Sequence, residues 1–390
     1  MKKALFCLSP VFVLVALAVL SAAEAPKLPP PYHTPSTPNP ARVVAQGDHK
    51  LQAPAGFVVE EFASGFAKPR IMLELPGGTI LVSDSVAKGV VWAIAPDKSK
   101  KQLLTGLDRP FGLAFNKGYL YVAEAEAIKR YKFDPRTLAA GADEEIIPLK
   151  GYGKGHWSRS LAFDKKGARL YVSVGSGSNV DLGDPKDRNA INVYNPDGTG
   201  HEIMAAGLRN PVSIRWNPQS GKLWTTVQER DGLGDDLVPD FFTSITPGAF
   251  YGWPYAYIGA NEEPRHKGAA PEMVKKAVVP DVVLKAHASV MDFAFYTGKM
   301  FPAKYRNGAF IVYRGSSNRA KRLGYEVVFL PFKNGRPAAD APEEFLKGWM
   351  LGEDQKDVWG RPVGILQLAD GSLLVSEDGN NKIFRISFKG

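Results

Sequence analysis

Six times along the chain an apolar run, a polar turn and a second alternating run follow one another. The copy at 155–176, GHWSRSLAFDKKGARLYVSVGS, shows the form: Leu161, Ala162 and Phe163, a turn containing Gly167, then Leu170, Tyr171, Val172, Ser173 and Val174. Alternation with a period of two on both sides of a short turn predicts an antiparallel hairpin. Equivalents occur at 68–84, 108–124, 209–229, 289–316 and 360–378. Further strand-like runs at 89–96, 127–134, 190–197, 324–331 and 382–388 predict outer strands.

Aligned on Pro69, Pro110, Ser158, Pro211, Val290 and Pro362, the copies stand 41 to 79 residues apart, so the strands repeat while the connections vary. One such sheet cannot bury both faces unless neighbours stack on it, which is the reason repeats of this period mark a radial or linear array. Four strands per unit and six units predict an all-β chain folded as a six-bladed β-propeller of four-stranded antiparallel sheets over residues 54–390. The early run GFVVEEF (56–62) is expected to pair with the last blade and close the ring, removing the open edge.

Composition narrows the setting. Residues 1–23 combine Lys2 and Lys3, an apolar core and small residues around the exit, which reads as a secretory signal; a periplasmic or secreted location follows. Residues 24–53 form a Pro-rich leader, an extended layer or spacer to which the sequence assigns no function. The single cysteine, Cys7, lies inside the signal, so a mature chain has no thiolate metal site, no Cys nucleophile and no disulfide framework. No later stretch is apolar enough to span a bilayer. The 49 Lys+Arg against 40 Asp+Glu are spread along the chain without basic runs interleaved with aromatics, which argues against a nucleic-acid partner.

The candidate chemistry sits in the loops that lead into the inner strands, because those loops converge at one end of a propeller axis. Arg109, Arg209 and Arg361 immediately precede such strands and Arg70 falls one residue later, so together they would form a cationic well; singly, each could instead cap a strand or pair with an acid. His156, in a Gly-rich axial loop, is a candidate general base, since imidazole titrates near pH ~6.5. The segment QERDGLGDDLVPDFF (228–242) gathers Glu229, Asp231, Asp235, Asp236 and Asp240 around Gly232 and Gly234. Hard oxygen donors of this kind suit Ca²⁺, although a solvated acidic turn has the same composition. In GAFYGWPYAY (248–257) the reading favours a site-rim position for Tyr251 and an apolar plug for Trp253. His287 is a weaker axial candidate than His156, and His266 reads as part of an exposed insertion.

With GHWSRSLAF, AAGLRNP, ERDGLGDDLVPD, FYGWP and the GRPVG hairpin in order, the chain resembles the soluble quinoprotein glucose/sorbosone dehydrogenases, and looks closest to the sorbosone branch. The resemblance covers most of residues 54–388. It implies pyrroloquinoline quinone (PQQ) and Ca²⁺ as cofactors and a small sugar or sugar aldehyde as substrate, with electrons passed to an external acceptor. By the same resemblance His156 is the general base and Arg209 polarises the quinone, with Asn210 beside it. The carbonyls of Asp231 and Gly232 hold the Ca²⁺, Arg230 and Asp236 lie on the cofactor side, and Arg361 binds a cofactor carboxylate. Two departures stand out: Ser176 replaces an acidic residue that assists the base in the glucose branch, and the fifth-blade lysine falls near Ser316 or Ser317, where Arg319 is the expected substitute. Two other readings compete, a metal-dependent lactonase-type propeller hydrolase and a non-catalytic propeller that binds a glycan or protein.

Overall fold

The computed structural model describes residues 26–390; the expected signal segment lies outside them. Each blade is four strands in sequence order from the axis outward. Blade 1 runs Pro69–Glu74, Ile80–Asp84, Gly89–Ile94 and Lys100–Leu107; blade 2 runs Leu113–Asn116, Tyr119–Ala123, Ala127–Asp134 and Ala139–Pro148. Blade 3 comprises Leu161–Phe163, Leu170–Val174, Ala190–Tyr194 and Glu202–Ala206, and blade 4 Asn210–Trp216, Leu223–Gln228, Pro239–Ser244 and Val282–Ala286. Blade 5 is Val290–Phe295, Ala309–Tyr313, Glu326–Leu330 and Glu343–Leu346.

Blade 6 takes Pro362–Gln367, Leu373–Glu377 and Lys382–Phe388 from the C-terminal end and its outermost strand, Phe57–Ala63, from the other end of the chain. The two ends pair antiparallel from Phe57 opposite Phe388 to Ala63 opposite Ile383. Every predicted hairpin is present, and the ring closes as the alternation at 56–62 implied.

The second strands of blades 1, 5 and 6, Ile80–Asp84, Ala309–Tyr313 and Leu373–Glu377, are buried at every position because a neighbouring blade covers each face. Aromatic rings fill the wedges between blades. Trp224 lies 4.7 Å from Phe242, 5.2 Å from Phe332 and 6.1 Å from Phe295 between blades 4 and 5. At the closure, Phe57 meets Phe301, Tyr305, Phe345 and Phe388 edge-on with ring centroids 4.7 to 5.5 Å apart, the geometry favoured by the ring quadrupole.

Along the axis, Asp292 of blade 5 accepts from Ser213 Oγ (2.6 Å), Arg215 Nη2 (2.7 Å) and the Ile365 amide (3.0 Å), tying three inner strands together beneath the axial cavity. The leader lies against the propeller. Arg42–Val43 pairs in parallel with Asp357–Val358, and Gln52 and Lys347 exchange backbone hydrogen bonds.

Truncating Phe57 removes the ring that fastens the closing strand to blade 5. Phe57→Ala is expected to cost about 3 kcal/mol in denaturant unfolding; a loss under about 1 kcal/mol would show that closure does not rely on this contact.

Candidate active site

A cavity of about 280 Å³ opens at the axial end reached by the loops before the inner strands. His156, Trp157 and Ser158 form one wall; Arg70, Asn210, Gln228, Met291 and Arg314 are among the residues that complete it. The His156 loop packs against the end of the adjacent strand at Gly175, where an added Cβ would stand 2.5 Å from His156 Cβ and 2.6 Å from Asn210 Oδ1. Only glycine permits that approach. Two buried arginines hold the loop from behind. Arg159 donates to the carbonyls of Tyr152 (2.7 Å), His156 (2.6 Å) and Ser158 (2.9 Å), and Arg188 to those of Lys154 (3.1 Å), Gly175 (3.0 Å) and Ser176 (2.8 Å).

His156 Nδ1 lies 3.0 Å from both the carbonyl oxygen and Oγ of Ser176. A carbonyl can only accept, so Nδ1 carries the proton and Nε2 is left with its lone pair. Ser176 thus does by main chain and hydroxyl what a carboxylate would do: it fixes the tautomer. Burial, reinforced by the charges of Arg209 and Arg188, pushes the imidazole pKa down to about 3.

Opposite this neutral base lies a strongly charged cluster. The Asp378 carboxylate is fully buried, with Arg70 Nη2 at 2.7 Å, Arg314 Nη2 at 3.0 Å and Arg361 Nε at 3.0 Å. Lys68 Nζ donates to the Asp378 carbonyl at 2.7 Å. Burial alone would raise the Asp378 pKa, yet the three guanidinium groups hold it down at about 2. One carboxylate faces four cations, so the well carries a net positive charge.

Of the expected arginines, Arg70 and Arg361 reach this cluster, whereas Arg109 turns to Asp108 (2.9 Å) and the Gly153 carbonyl (3.0 Å). The fifth-blade cation at the cavity is Arg314. Arg319 instead lies 3.4 Å from Asp236, and neither lines the cavity, because the loop that carries Arg319 folds outward under the leader.

Arg209 is buried beside the cavity. Its Nε donates to Asn179 O (3.0 Å), Nη1 to Glu229 O (2.8 Å) and Gln228 O (3.3 Å), and Nη2 to Asn179 Oδ1 (2.9 Å). One of the five guanidinium N–H groups stays free, with Asp231 Oδ2 at 3.9 Å. Asn179, which the sequence reading missed, is the hub here: Oδ1 also accepts the Asp231 amide and Nδ2 donates to the Asp231 carbonyl. Arg230 points into the protein against Glu263 (3.4 Å), away from the cavity lining.

His287 has both ring nitrogens occupied, by Asp231 Oδ1 and Gly234 O, each at 2.9 Å, and is structural. His266 is half-buried and tied to the Val180 carbonyl at 2.6 Å rather than exposed. Tyr251 is not at the rim: it is buried on Phe241 and donates to Ser244 O at 2.8 Å. Trp253 is the buried plug, its Nε1 bonded to Asn179 O at 3.0 Å. Trp157, also missed, is the aromatic wall, with the guanidinium carbons of Arg70 and Arg109 5.7 and 5.5 Å from its centre.

These residues fit a flat polyanion. The cavity volume is near the lower end of the ~300–1,000 Å³ usual for cofactor sites, Trp157 offers a face, and Asn210 Oδ1 and Arg70 Nε are buried polar atoms without a hydrogen-bond partner. For a cation the donor set is thinner. No group of three His, Cys, Asp or Glu side chains comes together among the described residues, and the Asp231 carbonyl already accepts from Asn179 Nδ2.

In the folded protein the His156 imidazole resists protonation while an unfolded chain takes up the proton near pH ~6.5. Its contribution to stability is therefore complete above that pH and is lost as the pH falls toward 3. In an NMR titration of the cofactor-free protein, the His156 ring resonances are expected at their neutral positions at pH ~5; a midpoint above pH ~6 would contradict the arrangement.

A curated relative from Borreliella burgdorferi, described as an uncharacterized protein, is 30% identical over 354 residues, covering 87% of this chain and 91% of the relative. Among solved structures, the holo form of the pyranose dehydrogenase PQQ domain from Coprinopsis cinerea superposes with a TM-score of 0.74 at 19% identity, over 89% of this chain and 100% of that one. The calcium structure of the Trichoderma reesei carbohydrate-active enzyme of family AA12 gives a TM-score of 0.72 at 20% identity, over 90% and 99%. The TrAA12-like family model matches residues 51–239 and 262–389 without singling out the sorbosone branch, and the chain belongs to that TrAA12-like family.

Proposed function

We propose that this protein is a PQQ-dependent sugar oxidoreductase acting on an aldose or sugar aldehyde. The observation that carries the reading is the excess of positive charge around Asp378, set across one cavity from a neutral imidazole. A well of that kind favours an anion with more than one carboxylate, and guanidinium groups are the side chains best shaped to receive them. The structural neighbours, a holo PQQ domain and a calcium structure of an AA12 enzyme, support the same choice.

When bound, the quinone supplies the two-electron acceptor for the hydride that leaves the sugar carbon. The protein contributes binding, orientation and proton transfer. Arg70 and Arg314, which line the cavity, receive carboxylates, with Arg361 behind them on Asp378; Trp157 gives a planar wall, and the spare Nη2–H of Arg209 offers a donor to an oxygen at the inner edge. His156 Nε2 accepts the proton of the sugar hydroxyl, and Ser176 holds Nδ1–H so that no other tautomer competes. Calcium belongs to the proposal through the main-chain oxygens of Asp231 and Gly232, the oxygen chemistry this ion prefers. Export, and transfer of the electrons to an external acceptor, complete it on the strength of the signal-like segment 1–23. A lactonase-type hydrolase wants a well of carboxylates and amides, whereas this one is lined by Arg70 and Arg314.

Purified protein reconstituted with PQQ and Ca²⁺ is expected to reduce a redox dye with aldoses, to lose activity with a chelator, and to fall at least ~100-fold in kcat on His156→Ala. Turnover that needs no quinone, or lactone hydrolysis with metal alone, would contradict the proposal.

A further inference from the structure

The segment Tyr32–Asn39 of the leader is joined through Tyr32, Thr34, Ser36, Thr37 and Asn39 to two axial loops. Toward the blade-4 loop, the Tyr32 amide donates to Leu233 O (2.7 Å), Thr34 Oγ1 accepts the Asp235 amide (2.9 Å) and Ser36 Oγ accepts the Gly234 amide (2.9 Å). Toward the blade-5 loop, the Asn39 amide donates to Ser317 O (2.7 Å) and its side chain to Ala320 O (2.9 Å). Asp235 ties all three pieces together, accepting from the Thr37 amide (3.3 Å) and the Ala320 amide (2.7 Å).

The contact is built into the sequence on both sides. At Gly234, with φ of +123°, an added Cβ would stand 2.7 Å from Thr34 O and 2.9 Å from Thr34 Oγ1. Arg322, 1% exposed, spends two of its nitrogens on Asn39, at 3.1 Å to its carbonyl and 3.0 Å to its Oδ1. Several part-buried bonds that all form in one register fix the geometry of the joint.

The loops so joined carry Asp231 and Gly232 on one side and follow Arg314 on the other. We infer that residues 32–39 are a positioning strap: they set the distance between the loop that offers main-chain oxygens and the strand end that presents Arg314, and so tune cofactor affinity without touching the cofactor. This inference rests on the PQQ reading above.

The test uses the full chain carrying Thr34→Val, Ser36→Ala and Asn39→Ala together, with Arg42→Ala as a control. The control loosens the leader at its ion pair with Asp357 (2.6 Å), away from the two loops. Two measurements are made: hydrogen exchange of segments 231–236 and 316–322 without cofactor, and PQQ binding by equilibrium dialysis in the presence of Ca²⁺. Faster exchange in both segments and a rise of at least ~10-fold in Kd, with Arg42→Ala unchanged in both, is the expected result. Faster exchange with unaltered affinity would overturn the inference while leaving the proposed function intact, and so would unaltered exchange. Absence of PQQ binding by the unmutated chain would remove the proposed function and the inference with it.

Discussion

Asp378 is the point on which the axial site depends. A carboxylate taken out of water is tolerable only if cations and donors replace its hydration, and here they come from separate parts of the ring: Arg70 from blade 1, Arg314 from blade 5, Arg361 from the entrance to blade 6. The cluster therefore joins blade 6 to blades 5 and 1, and blade 6 is itself completed by the pairing of Phe57–Ala63 with Lys382–Phe388. The same geometry leaves more positive charge than one carboxylate can neutralise, and among the described residues no second carboxylate joins the cluster's ion pairs.

On the opposite wall the imidazole of His156 is held neutral chiefly by burial, with the charges of Arg209 and Arg188 adding to the effect, so that at pKa about 3 it is unprotonated but a weak base. Ser176 supplies orientation without adding a charge that would alter this balance.

The inner hairpins were legible because neighbouring blades cover their strands and keep the apolar runs continuous, and even the third strands Ala127–Asp134 and Lys382–Phe388 begin and end where the alternation does. The outermost strands were not. Ala139–Pro148 reads AAGADEEIIP with most positions in water, and an edge strand of that composition carries no period-two signal. His156 and Asn210 could be placed at the cavity from their positions at the mouths of inner strands. Arg314 and Asp378 could not, since each is an ordinary polar residue just past a strand end and only the ring brings the two together. Arg319 was the wrong choice in the same blade because its neighbours in space, Asp236 and the leader, are far away in sequence.

On the proposed function, net positive charge in the axial well, more than shape, recruits PQQ. Equilibrium binding of PQQ compared with its trimethyl ester tests this directly, since the ring system is unchanged and only the carboxylate charges are removed. The account predicts that the free acid binds and the ester fails to bind at comparable concentration, with the affinity of the acid falling as salt is raised. Equal affinity for the two forms would contradict it.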